Sequence, residues 1–161
     1  VMRLIIAAIG KLKDAEERDI CSRYTKRLSV TGKQAGLSSF EIIEMTESRG
    51  ETAEARKADE ALRLLRSAST AEVRIALDEG GRSLSSESFA KLLSRHADNS
   101  VKCCAFLIGG PDGHGRAVLD TADLTLSLGQ MTLPHGLARV VLIEQLYRAS
   151  TILTGHPYHR P

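Results

Sequence analysis

Residues 101–108 form a nearly unbroken apolar run, Lys102 being its one charged member, and the run ends on the pair Gly109-Gly110. A strand of that composition is buried on both faces, so any sheet that contains it needs a cover on each side. The rest of the chain supplies the covers. Residues 2–9 are a second apolar run closed by Gly10, and residues 14–28 then carry Ile20, Tyr24 and Leu28 at helical spacing. The pattern repeats with a strand at 40–45 and a helix at 51–68, whose inward stripe is read as Ala58, Leu62 and Leu65. A third strand at 73–77 and a helix at 86–97, capped by Ser85, precede the buried strand, and a fifth strand follows at 124–128. Strands alternating with helices predict an α/β fold with a mostly parallel sheet and helices on both faces. With 161 residues, the expectation is a single domain over 1–161. The segment 32–39, rich in glycine and serine, is the predicted mobile loop.

The last helix is predicted over 136–153, and its apolar residues, among them Leu137, Val140, Val141, Ile143, Leu146 and Ile152, run most of the way round it. A helix apolar all round needs cover on more than one side, which predicts a homodimer through this helix. No apolar run reaches membrane-spanning length, and the first residues read as a strand, not as a signal peptide. Cys21, Cys103 and Cys104 have no metal-ligand spacing and read as buried free thiols, so the expectation is a cytoplasmic protein without metal. The formal charge of +2 says little about partners by itself. Beyond Met131, however, Arg139, Arg148 and Arg160 stand against Glu144 alone, so a polyanion is drawn to that end.

Ligands of open α/β sheets bind beyond the carboxyl ends of the strands. Three such ends here are rich in glycine: residues 77–81, 108–113 and 128–134. A single glycine pair is usually an ordinary turn, but three converging loops make a pocket. The loop at 109–115 lacks the lysine of a P-loop and the spacing of a dinucleotide fingerprint, and Asp112 would repel phosphate. The predicted ligand therefore carries no phosphate and sits between apolar walls such as Leu77, Ile108, Met131 and Leu133. His135 is expected to help cap the last helix. The tail His156-Pro157-Tyr158-His159-Arg160 reads by composition as frayed, yet it gathers groups that stack on a base and pair with phosphate.

Four ordered motifs resemble a known family: residues 107–113, 131–135, 139–149 and 156–160 are similar to those of the RlmH family, SPOUT-class enzymes that methylate N3 of a pseudouridine in 23S ribosomal RNA. The likeness extends over essentially the whole chain. It implies a C-terminal trefoil knot, a homodimer with the last helix in the interface, and S-adenosylmethionine as cofactor. It also implies cofactor contacts at Leu77, at Gly109 and Gly110, and at Gly129, Gln130, Met131, Thr132, Leu133 and Pro134. The implied substrate is ribosomal RNA in an assembled ribosome; a SPOUT enzyme acting on transfer RNA and a non-catalytic RNA-binding assembly protein are the alternatives. Tyr158, His159 and Arg160 are the candidate catalytic residues, on a tail over 154–161 expected to order with the RNA. Arg139, Arg148 and His156 are candidate RNA contacts, the two arginines being equally suited to satisfying carboxylates. His114 is not a fixed feature of the motif and is given no catalytic role.

Overall fold

A computed structural model describes residues 1–161. In chain order it contains β1 (Met2–Ile9), α1 (Ala15–Gln34), β2 (Leu37–Met45), α2 (Ala53–Ser67), β3 (Val73–Ser83), α3 (Ser86–Asp98), β4 (Cys103–Ile108), α4 (Arg116–Thr121), β5 (Leu124–Ser127) and α5 (His135–Thr154). The five strands form one sheet in the order β2-β1-β4-β3-β5, and every neighbouring pair is parallel. The α/β reading holds, with helices on both faces.

Strand alternation divides the core in two. Met2, Leu4, Ile6 and Ala8 of β1 face α1, α3 and α5, while Ile5, Ala7 and Ile9 face α2 and α4. Cys103 and Cys104 follow the same rule on opposite faces of β4, both buried, and burial pushes the Cys104 thiol well up. Ser85 caps α3 as expected, its hydroxyl accepting the Ser88 amide at 3.1 Å. No helix is long and apolar enough to cross a membrane.

The structure corrects two expectations and adds detail to others. The stretch 32–39 is no loop: α1 runs to Gln34 and β2 starts at Leu37. Gly32 lies inside α1 because a Cβ there would stand 3.1 Å from the Leu37 carbonyl oxygen, so the glycine serves close packing. The inward stripe of α2 is Ala61 and Leu64, with Ala68 beyond its end, while Leu62 is exposed. The sheet face beneath consists largely of Ala7, Ala76, Cys103 and Ala105, and small residues on both sides let helix and sheet approach closely. The short helix α4 had no periodic signal at all. Finally, α5 packs between α1 and α3 on the sheet, so its all-round apolar character is met largely within the chain. Leu137 alone among its large apolar residues is conspicuously open, at 45% exposure.

Strand β3 is longer than predicted and does something unusual. Leu126 of β5 is the register partner of both Leu77 and Arg82, so residues 78–81 form a bulge between the two pairings. A Cβ on Gly81 would lie 2.6 Å from the Thr125 carbonyl oxygen and 2.9 Å from the Leu126 nitrogen. Glycine is required where one backbone approaches another so closely.

Candidate active site

Parallel strands bring all five carboxyl ends to one edge of the sheet, and the register aligns Ile108, Leu77 and Leu126 there as neighbours on β4, β3 and β5. This buried apolar row is the base from which the three glycine-rich loops rise.

The loop after β4 turns tightly, with the Gly113 amide donating to the Gly110 carbonyl at 3.0 Å and Gly113 itself at φ 86°. His114 follows and is buried; its Nε2–H donates to the Leu107 carbonyl at 3.0 Å. Burial holds this imidazole below its ordinary pKa, hence neutral, and its Nδ1 lies buried without a partner beside Gly109. From α2, Arg56 reaches over this loop. Its Nε and Nη2 donate to the two Asp112 carboxylate oxygens at 2.7 and 3.2 Å, and its Nη1 donates to the Gly50 carbonyl at 3.0 Å. That hydrogen bonding holds the Asp112 carboxyl below its usual range. One turn on, Glu60 is 3% exposed and accepts the Ser48 amide at 2.8 Å. Its other oxygen has no partner and lies 3.0 Å from where a Gly110 Cβ would stand.

The other two loops are tied to each other. Ser127 donates its hydroxyl hydrogen toward the Glu79 carbonyl at 3.1 Å and the Gly129 carbonyl at 2.8 Å, and it accepts the Gly129 amide at 3.1 Å. Thr132 donates to the Glu79 carboxylate at 2.6 Å. Gly129 adopts φ 137°, with open space where a side chain would go. Gln130 through Pro134 are exposed, and Met131 is open to 85%. A cleft of about 250 Å³ adjoins this loop, lined by Ser83–Ser86 of the β3–α3 junction, Leu126 to Gly129, and Val141, Leu142 and Gln145 of α5. Leu77, Gly109, Gly110 and 129–134 thus rise from three neighbouring strand ends.

His135 and Arg139 have structural roles that the sequence reading missed or only half saw. Pro134 takes the N-cap position with no side-chain cap, and the His135 ring instead packs on Gly10, where a Cβ would come within 2.8 Å. Arg139, a candidate RNA contact, is 3% exposed and committed inside the chain. It pairs with Glu44 and donates from Nη2 to the Gly10 carbonyl at 2.8 Å, so it satisfies a carboxylate of its own chain and has no face left for RNA. Desolvation pushes the Glu44 carboxyl up, but the hydrogen bonds from Arg139 and the Leu12 amide outweigh it and hold the group below its usual range.

The tail stands apart from the loops. After Gly155, left-handed at φ 73°, it folds back along α5. Tyr158 donates to Glu144 at 3.1 Å and stacks at a tilt on Tyr147, with ring centroids 4.7 Å apart. Desolvation and the neighbouring Tyr24 hydroxyl and Glu144 push its phenol up. The Arg148 guanidinium lies 4.7 Å from the Tyr158 ring centre, binds Glu144 at 2.7 Å, and donates to His159 Nδ1 at 3.0 Å. His159 Nε2 in turn meets Glu87 of α3 at 2.7 Å. His156 and Arg160 are exposed. The contacts of Tyr158 and His159 therefore go to α1, α3 and α5 and none to the three glycine-rich loops of the same chain. Arg56, Glu60 and Glu79 were not singled out, because partners dozens of residues apart in sequence leave no local pattern.

An all-parallel five-stranded sheet covered by helices, with a glycine-lined site at its strand ends, agrees with a SPOUT-class methyltransferase. The family described as "Predicted SPOUT methyltransferase" matches residues 2–159. Proteins named ribosomal RNA large subunit methyltransferase H from Brucella anthropi and Rhizobium etli are 46% and 48% identical, over 99% of each chain. A solved structure, a probable methylase family protein from Haemophilus influenzae, superposes with a TM-score of 0.55 at 11% identity, covering 99% of this chain and 70% of the other, which bears on the fold alone. The chain belongs to the SPOUT methyltransferases, in the ribosomal RNA large subunit methyltransferase H family.

Proposed function

We propose that this chain is an S-adenosylmethionine-dependent methyltransferase of large-subunit ribosomal RNA, acting on N3 of a pseudouridine in the assembled ribosome. The observation that carries the reading is the full-length likeness, at 46% to 48% identity, to proteins named ribosomal RNA large subunit methyltransferase H. The pocket fits the cofactor chemically. Asp112 is neutralised by Arg56, but the carboxyl groups of Glu79 and Glu60 beside the loops have no cationic partner, which suits a cationic sulfonium ligand better than a phosphate. The Ile108, Leu77 and Leu126 row offers an apolar wall, and Gly129 leaves its approach open.

Bound there, S-adenosylmethionine supplies the electrophilic methyl group. The chain supplies the rest. Backbone amides and carbonyls of Gly109, Gly110 and 129–134 orient the ligand, while Met131 and Leu133, exposed at the rim, exclude water once substrate covers them. The ring nitrogen must lose its proton as it attacks. Tyr158, His159 and Arg160 are the groups for substrate stacking, proton removal and phosphate pairing. Since the tail is held away from its own loops by Glu144 and Glu87, we assign it to the pocket of a second copy, which makes the working unit a homodimer. The open Leu137 at the start of α5 suits such an interface. The trefoil knot expected at the C-terminal end rests on membership of the SPOUT family.

Labelled methyl transfer to intact ribosomes, isolated subunits and transfer RNA tests the reading. Transfer to ribosomes is expected. Transfer confined to transfer RNA, or to nothing, would overturn it.

A further inference from the structure

A second concavity lies apart from the candidate cofactor loops. It is a groove of about 660 Å³ between α3, the start of the edge strand β5 and the end of α5. Its floor is aliphatic, and its rim carries Arg82, Lys91, Arg95 and His96 together with the hydroxyls of Ser88 and Ser94. Ser88, Lys91 and Arg95 fall three and four residues apart, on one face of α3. Arg82, Lys91 and Arg95 are exposed, and none of them forms an ion pair within the chain. The only carboxylate in the lining is Asp123, and it accepts the backbone amide of Arg74 at 2.8 Å. In a chain with a net charge of only +2, three free cations and an imidazole around one groove concentrate a positive field.

The groove also leads somewhere. Leu84 lines both it and the smaller cleft that adjoins Leu128 and Gly129 of the candidate cofactor loop. A chain laid along α3 from His96 past Lys91 would arrive at the methyl-donor side of the molecule. The lining has no Phe, Tyr or Trp, and His96 is its one aromatic ring, against three cations and two hydroxyls, so the groove suits a sugar-phosphate backbone better than a run of bases.

We infer that this groove is the track on which the phosphate backbone of the RNA substrate is held, with Arg82, Lys91 and Arg95 as its phosphate contacts. The inference rests on the proposed RNA substrate and adds to it a surface outside the cofactor loops and the tail.

The double variant Lys91→Gln/Arg95→Gln tests it, since both side chains are exposed and unpaired and their loss leaves the fold intact. Two measurements are made at several salt concentrations: methyl transfer kinetics on ribosomes, and co-sedimentation with ribosomes, which needs no catalysis. The expected result is a KM for ribosomes and a ribosome Kd raised about tenfold or more, with kcat and cofactor affinity unchanged. The slope of log affinity against log salt should fall by about one for each contact removed. Lys91→Arg/Arg95→Lys should retain near-native values. An unchanged ribosome affinity and salt slope in the glutamine variant would overturn the groove. So would an altered oligomeric state with unaltered ribosome affinity, which would assign this face to a second copy of the chain. A native protein that binds ribosomes salt-dependently but transfers no methyl would sink the enzymatic reading while leaving the groove to be decided by co-sedimentation.

Discussion

Arg139 and His114 show how single side chains near the site serve the scaffold before the chemistry. Arg139 joins Glu44, at the end of β2, to the Gly10 carbonyl that closes β1, and so locks the start of α5 onto the sheet. Removing one member of a buried pair leaves the other uncompensated. Arg139→Ala should lower stability by about 3 kcal/mol in urea unfolding, because Glu44 is partly open to water and rehydrates in part. His114 makes a pH prediction. Its folded pKa is depressed, so the unfolded chain binds the proton more readily, and stability is full above the ordinary histidine value of about 6.5 and falls as the pH drops through it. His114→Gln should flatten that part of the profile, leaving only the carboxylate-driven loss at lower pH. Thermal midpoints of both proteins from pH 8 to 5 check this. Arginine near a nucleic-acid site reads as a contact in sequence; only burial tells the structural case from the functional one.

At the scale of elements, α2 is the unexpected participant. Arg56 and Glu60, one turn apart, fasten the segment after β2 and the glycine loop after β4 to the same helix. Arg56→Ala should weaken S-adenosylmethionine binding about tenfold, or about 1.4 kcal/mol, by freeing Asp112 and the loop. Its effect on stability should be smaller, since the pair is partly exposed. Calorimetric titration separates the two effects, and an unchanged affinity would reduce the clamp to a purely structural one. The close approach at Gly81 makes a harsher demand. Gly81→Ala pushes a methyl group against the Thr125 backbone and should cost at least about 2 kcal/mol, read as a lower denaturation midpoint. The strands were legible because apolar runs ending in glycine are strong signals, and so β1, β4 and the glycine loops fell where expected. The extension of β3 to Ser83 was not, since a polar Asp78-Glu79-Gly80-Gly81 stretch looks like any turn until its partner strand is known. The inward stripe of α2 was misphased because alanines that permit close approach carry less signal than leucines left outside.

For the molecule as a whole, the proposed function makes the three strand-end loops and the tail two half-sites, and one chain does not bring them together. A protein truncated after Gly155 should bind S-adenosylmethionine as the native protein does and transfer no methyl group, measured by calorimetry and by labelled transfer in parallel. Full activity of the truncated chain would remove the tail from the mechanism. The resemblance carried by four short motifs made the cofactor end legible in the sequence; the parking of Tyr158 and His159 on Glu144 and Glu87 was not, because it depends on how α3 and α5 pack. The way the candidate site is assembled has a further consequence, for biosynthesis. Its three loops follow β3, β4 and β5, and Leu126 of β5 finds its place only against Leu77 and Arg82 of β3, so no N-terminal fragment that stops short of β5 holds all three. The candidate pocket is therefore completed late in synthesis, and contacts so distant in sequence close slowly.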